Sequence, residues 1–152
     1  MSSFRRVRDG HPVALALYLR HYSCKPDKTD GRIVGPGARV VLLTHDSTAL
    51  IVWRKFIDDC IDPRTGQKQQ GVNCAVFRNE NPTRRSSELL LEAQAIARQW
   101  WPGQRLYTYV DAGKIKSANP GYCFKIAGWQ NAGRTKGGLV ILEHTAQEVP
   151  SG

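Results

Sequence analysis

Apolar residues fall in short blocks along the chain, separated by polar stretches marked with glycine and proline. Val13 to Arg20 is an apolar-polar segment read as a short helix. His21 to Gly37 is rich in Lys, Asp, Gly and Pro and reads as a loop. Arg39–Leu43 (RVVLL) and Ala49–Phe56 (ALIVWRKF) read as strands. His45-Asp46-Ser47 supplies turn chemistry between them, so the two form a hairpin. Asp58 to Gln70 is a polar excursion. Gly71–Arg78 (GVNCAVFR) is a third strand, followed by a loop from Asn79 to Arg85. A helix then runs from about Ser87 to Trp100, with Ser86 or Ser87 as N-cap and Glu88 at its positive end. Its apolar face is Leu89, Ala93, Ile96 and Trp100, at three- and four-residue steps. Pro102 and Gly103 end it.

Arg105–Val110 (RLYTYV) is a fourth strand. Asn119–Ala127 is a short helix that Asn119 can cap, closed by Gly128. Leu139–Glu143 is a last strand, paired across the turn Gly133–Gly138. This order predicts an α/β (α+β) domain: a mixed, mostly antiparallel central sheet flanked by helices, around a strand-helix-strand unit. The whole of 1–152 reads as one domain, with 1–9 and 148–152 as loose ends.

At 152 residues such a domain folds without staples. The cysteines, Cys24, Cys60, Cys74 and Cys123, form no CxxC pair and have no histidine at zinc-finger spacing. They read as reduced residues of a cytosolic core. The apolar run after Arg5, Arg6 and Arg8 leads to Arg20-His21 without a small-residue cleavage site, so a cytoplasmic protein is expected. No run reaches the ~18 apolar residues of a membrane span.

Charge narrows the partners. There are 22 Lys and Arg against 13 Asp and Glu, a formal net charge of +9. Ala112 to Leu142 contains no acid and five bases: Lys114, Lys116, Lys125, Arg134 and Lys136. Such a field attracts nucleic acid, and equally the phosphates of a coenzyme.

Three segments carry candidate chemistry. At Phe77–Glu88 (FRNENPTRRSSE) a strand enters a loop that opens a helix. Helix N-termini bind phosphate, and arginine grips phosphate in a fork. Arg78, Asn79, Arg84, Arg85, Ser86 and Ser87 are therefore candidate cofactor-holding residues, together with Asn119. At Asp111–Trp129 (DAGKIKSANPGYCFKIAGW), Ser117 and Tyr122 place hydroxyls beyond a strand end; tyrosine serves as a general acid, and serine holds or attacks a carbonyl. The third is His21-Tyr22-Ser23, a clamp or base in a loop. Each segment also has a purely structural reading, as loop, cap and turn. No Walker loop, Rossmann fingerprint or Ser-His-Asp ordering is present.

From Gly71 to Glu143 the chain resembles the core of GNAT acyltransferases. Asn119–Trp129 is similar to that family's late Asn-Ala-Tyr-Gly-Phe pattern. More narrowly, HYS at His21–Ser23, CAVFRNE at Cys74–Glu80 and SANPGYCFKIAGW at Ser117–Trp129 resemble phage Mom-type DNA modification proteins. That resemblance implies a GNAT-like fold that alters adenine at its exocyclic amine, protecting phage DNA from restriction. It implies acetyl-CoA or a related acyl donor, and iron. The chain departs from the GNAT pyrophosphate loop: Asn81-Pro82-Thr83 stand where glycines are usual. Phe124 stands where GNAT enzymes carry a tyrosine, leaving that role to Tyr122.

The expectation is thus a DNA base modifier, monomeric or homodimeric, with no membrane partner. Arg78, Arg84 and Arg85 would hold a phosphate, and Ser117, Asn119 and Tyr122 would line the transfer site. His21 or Tyr22 would close it. Asp111 would orient the amine or take its proton. The basic run Lys114–Lys136 would lie on the DNA backbone. The rivals are an acetyl-CoA-dependent N-acetyltransferase for a small molecule or protein, and a non-catalytic nucleic-acid-binding module.

Overall fold

The computed structural model describes residues 2–20, 32–113 and 121–145. Within them run β1 (Phe4–Val7), α1 (Pro12–Leu19), β2 (Ala38–Thr44), β3 (Ala49–Lys55), β4 (Asp58–Ile61), β5 (Lys68–Gln69), β6 (Val72–Asn79), α2 (Ser86–Trp100), β7 (Leu106–Val110), α3 (Tyr122–Ile126), β8 (Gln130–Arg134) and β9 (Val140–His144). Seven strands form one sheet in the order β1-β2-β3-β6-β7-β9-β8, while β4 and β5 pair by themselves. Every pair in the large sheet is antiparallel except β6 with β7. The class is mixed α+β, as the element order implied.

β2 and β3 are almost continuous aliphatic runs because both of their faces are covered. On one face, Leu42, Ile51, Trp53 and Cys74 meet Leu89, Leu90, Ala93 and Ala97 of α2 and Phe124 of α3. On the other, Ala14, Leu17 and Tyr18 of α1 cover Val41, Leu43, Leu50, Val52 and Val76. Each leucine buried in this way contributes about 1.5–3 kcal/mol. Among the described residues, no helix is long and apolar enough to cross a membrane.

β6 and β7 pair at only two positions, Val72 with Leu106 and Asn73 with Tyr107. Beyond them the Thr108 hydroxyl donates to the Cys74 carbonyl (2.9 Å), and the two strands part. Aromatic rings cluster on the α2 face. Phe124 stands edge-on to Phe77 (6.1 Å between centroids) and to Trp129 (4.9 Å), and Trp129 stacks on Trp53. The Trp129 indole N–H donates to Gln94 of α2 (2.9 Å), tying the segment between α3 and β8 to α2.

Several boundaries differ from the sequence expectation. Phe4–Val7 is an edge strand rather than a loose end, because Phe4 buries against the α2 face while Arg5 and Arg6 stay in water. The polar excursion at 58–70 contains the β4–β5 pair. The N-cap of α2 is Arg85; Ser86 is already helical, and its Oγ accepts from Asn79 instead of capping. The buried stripe of α2 is Leu89, Leu90, Ala93 and Ala97, which leaves Trp100 half exposed, stacked under the Arg6 guanidinium. The N-cap of α3 is Gly121, not Asn119, and 148–152 lie outside the described residues. β8 supplies the partner strand for β9 across the glycine-rich turn.

Gly71 sets the entry into β6. Its φ is +118°, and a Cβ there would lie 2.2 Å from the Arg105 carbonyl oxygen. Gly71→Ala should therefore lower stability by about 3 kcal/mol, read as a shift of the urea midpoint.

Candidate active site at the open end of the sheet

Because β6 and β7 are parallel, Asn79 and Val110 end at the same edge of the molecule. Val140 pairs with Val110, so the β8–β9 turn reaches that edge too. Ala49 pairs with Asn79, which adds the β2–β3 turn. Clefts outside the carboxyl ends of parallel strands are the usual ligand sites of such sheets. The candidates Arg78, Asn79, Ser86, Ser87, Asp111, Tyr122, Arg134 and Lys136 are all brought to this end.

The glycine-free loop after β6 is built from asparagine side chains. Asn79 Nδ2 donates to the Arg84 carbonyl (3.0 Å) and to Ser86 Oγ (3.1 Å), and its Oδ1 accepts from the Asn81 N–H. Asn81 Oδ1 accepts from the backbone N–H groups of Thr83 and Arg84 and from the Thr83 hydroxyl. Asn81 Nδ2 ties the loop to Asp46 and Thr48 in the β2–β3 turn. The loop's N–H groups at 81, 83 and 84 therefore face inward, and the loop is not an anion nest. What remains for an anion is the very start of α2, at Ser86 and Ser87: the Glu88 N–H already donates to the Arg85 carbonyl (3.1 Å), and the N-cap makes no side-chain hydrogen bond.

Charge pairing sorts the arginines. Glu80 accepts two hydrogen bonds from Arg20 (both 2.8 Å) and one from Arg78 (3.0 Å). These guanidiniums, Arg20 first, pull the Glu80 carboxyl down to about 2. Arg84 reaches Ser3 Oγ (2.7 Å), Glu92 (3.3 Å) and Glu88 (3.8 Å). Arg78 and Arg84 are thus held by carboxylates, whereas Arg85 is exposed at the helix start.

At the end of β7, Asp111 is half-buried, and one of its oxygens accepts from the Gly113 N–H (3.0 Å). Tyr122 opens α3 and is 57% exposed. α3 docks tightly because Gly121 has φ +76°; a Cβ there would lie 2.7 Å from Leu142 Cδ1. Lys125, Arg134 and Lys136 are exposed. His21, Tyr22, Lys114, Lys116, Ser117 and Asn119 lie outside the described residues, as does Cys24. Cys60, Cys74 and Cys123 are free thiols, and burial raises Cys74 and Cys123.

A second polar cluster, absent from the sequence reading, lies on the opposite face under β4–β5. Asp58 Oδ2 accepts from the hydroxyls of Tyr107 (2.8 Å) and Tyr109 (2.7 Å), and its Oδ1 from the Cys60 N–H (3.0 Å). Burial, followed by the Asp58 hydrogen bond, raises both tyrosines. Beside it, Glu143 joins Arg64 and Arg105 (2.7 and 2.6 Å), and Asp62 also holds Arg64. The signal available in the chain was the alternation of Tyr107 and Tyr109 on one strand face; their partner lies 49 and 51 residues away.

Among the described residues, no group of three His, Cys, Asp or Glu side chains is placed to hold a metal ion. The iron implied by the Mom-type resemblance finds no donor set among them. Neither family models, curated proteins nor solved structures give a match to this chain.

Two pH responses follow. Glu80 is lowered from 4.5, so its ion pairs stabilise the fold above that value and are lost as pH falls toward about 2. Glu80→Gln should flatten acid denaturation in this window, followed by circular dichroism. Tyr107 and Tyr109 are raised above 10.0, so their contribution is present below pH 10 and lost above it, where the unfolded chain's tyrosines ionise. In a spectrophotometric titration, two of the five tyrosines should ionise only as the protein unfolds.

Proposed function

We propose that the open end of the sheet is an acyl-type transfer site acting on a base amine of DNA, in the manner of the Mom-type proteins this sequence resembles. The observation that carries the reading is the early parting of β6 and β7. It leaves the carboxyl ends of two parallel strands free at the edge where the start of α2, Asp111 and Tyr122 also lie. The succession strand, loop, helix, parallel strand, short helix and closing strand supports the GNAT-like resemblance.

An acyl donor with phosphates, such as acetyl-CoA or a relative, would be held by the start of α2, Ser87 and Arg85. Arg78 and Arg84 act indirectly, fixing the loop through Glu80, Glu88 and Glu92. The inward-facing loop disfavours the pyrophosphate cradle of ordinary acetyltransferases, which sets the N-acetyltransferase reading second. In the transfer, the amine nitrogen bonds to the acyl carbon and gives up a proton to the Asp111 carboxylate. The carbon–sulfur bond of a thioester donor breaks, and Tyr122 protonates the leaving sulfur. The base runs at Lys125, Arg134 and Lys136 meet the DNA backbone.

Nucleoside mass spectrometry on DNA from bacteria expressing the chain should show one modified adenine. Tyr122→Phe should reduce the adduct by about 10²-fold or more, and Asp111→Asn comparably. Affinity for duplex DNA should fall steeply between low and physiological salt. An unmodified nucleoside pool together with a flat salt response would discard the reading.

A further inference from the structure

The outer face of α3 is apolar although it lies in a basic neighbourhood. Tyr122 and Ile126, one helical turn apart, are 57% and 56% exposed, while Phe124 and Ala127 on the inner side are buried. Lys125 stands between them, and Arg134 at the end of β8 and Lys136 in the β8–β9 turn are exposed. No acid occurs from Ala112 to Leu142. Charge complementarity selects a polyanion as the occupant of this surface.

The reading of a DNA base modifier adds a geometric demand. An amine inside a stacked duplex cannot reach a site at the end of the sheet, so the base must leave the stack. Proteins that unstack DNA insert an aliphatic side chain into the gap, from a rigid element flanked by phosphate contacts. α3 supplies these parts. Its inner side is clamped by Phe77, Trp129 and the Gly121 approach to Leu142, so its outer side is presented on a fixed support.

Resting on the proposed function, we infer that α3 is a duplex-opening wedge: Ile126 enters the base stack of DNA, with Lys125, Arg134 and Lys136 on the adjoining phosphates. Tyr122, one turn nearer the site, stands where the extruded base passes.

The test uses a duplex pool with 2-aminopurine at one adenine position and random flanks, whose fluorescence rises on unstacking. With the full chain, fluorescence should rise several-fold. Ile126→Ala, at an exposed position, should fold normally and bind the same pool within about twofold by anisotropy, yet lose most of the rise. Ile126→Phe should keep it. If the wild-type protein binds the pool without a rise, or Ile126→Ala opens it equally well, the wedge is wrong and the DNA reading survives. If the wild-type protein does not bind the pool at all, both fall.

Discussion

The short contact between β6 and β7 governs the rest of the molecule. Two parallel strands that separate leave backbone groups that must find other partners. The Thr108 hydroxyl takes the Cys74 carbonyl at the point of parting. On the α2 face beside it, rings cluster: Phe77 from β6 and Phe124 from α3, with Trp129 and Trp53. The same parting frees the carboxyl ends of both strands at the edge where α3 begins, with Gly121 against Val110 and Leu142. Packing on the α2 face and the geometry of the site are therefore one problem with one solution.

Around the site, rigidity comes from side-chain amides. A glycine-rich loop would turn its N–H groups outward toward a ligand. Asn79 and Asn81 turn them inward and bind the loop to α2 and to the β2–β3 turn. Glu80 then draws Arg20 and Arg78 into the same assembly, so α1, β6 and α2 are tied together at one edge. This leaves the exposed cations, Arg85 foremost, as the groups with charge to offer an anion.

Periodicity made β2, β3, β6, β7, α1 and α2 legible in the sequence, because their apolar residues answer to local geometry. It failed where long-range partners decide. Phe4–Val7 carries two arginines and becomes a strand only because β2 offers an edge. β4 is polar because Asp58 is buried against tyrosines far along the chain. Ser86 is a good cap by propensity, yet Asn79 takes its hydroxyl oxygen and Arg85 becomes the N-cap. The candidates at 78–87, 111 and 122 share one edge of the sheet, a convergence that follows from the parallel pairing of β6 with β7 and that no single segment encodes.

Both faces of the sheet bury apolar residues, but one of them adds an ionic cluster. The α2 face is aliphatic and aromatic. The face under β4–β5 carries the half-exposed Arg64 with Asp62, Glu143 and Arg105. Screening salts weaken ion pairs of the second kind, and excluded salts such as sulfate tighten burial of the first kind. Ionic strength therefore acts on this sheet as an uneven load, felt most at the exposed Arg64 end of the ionic cluster while apolar burial on both faces is reinforced. The identity of the anion, and not its concentration alone, therefore sets the balance between the ionic cluster and the burial around it.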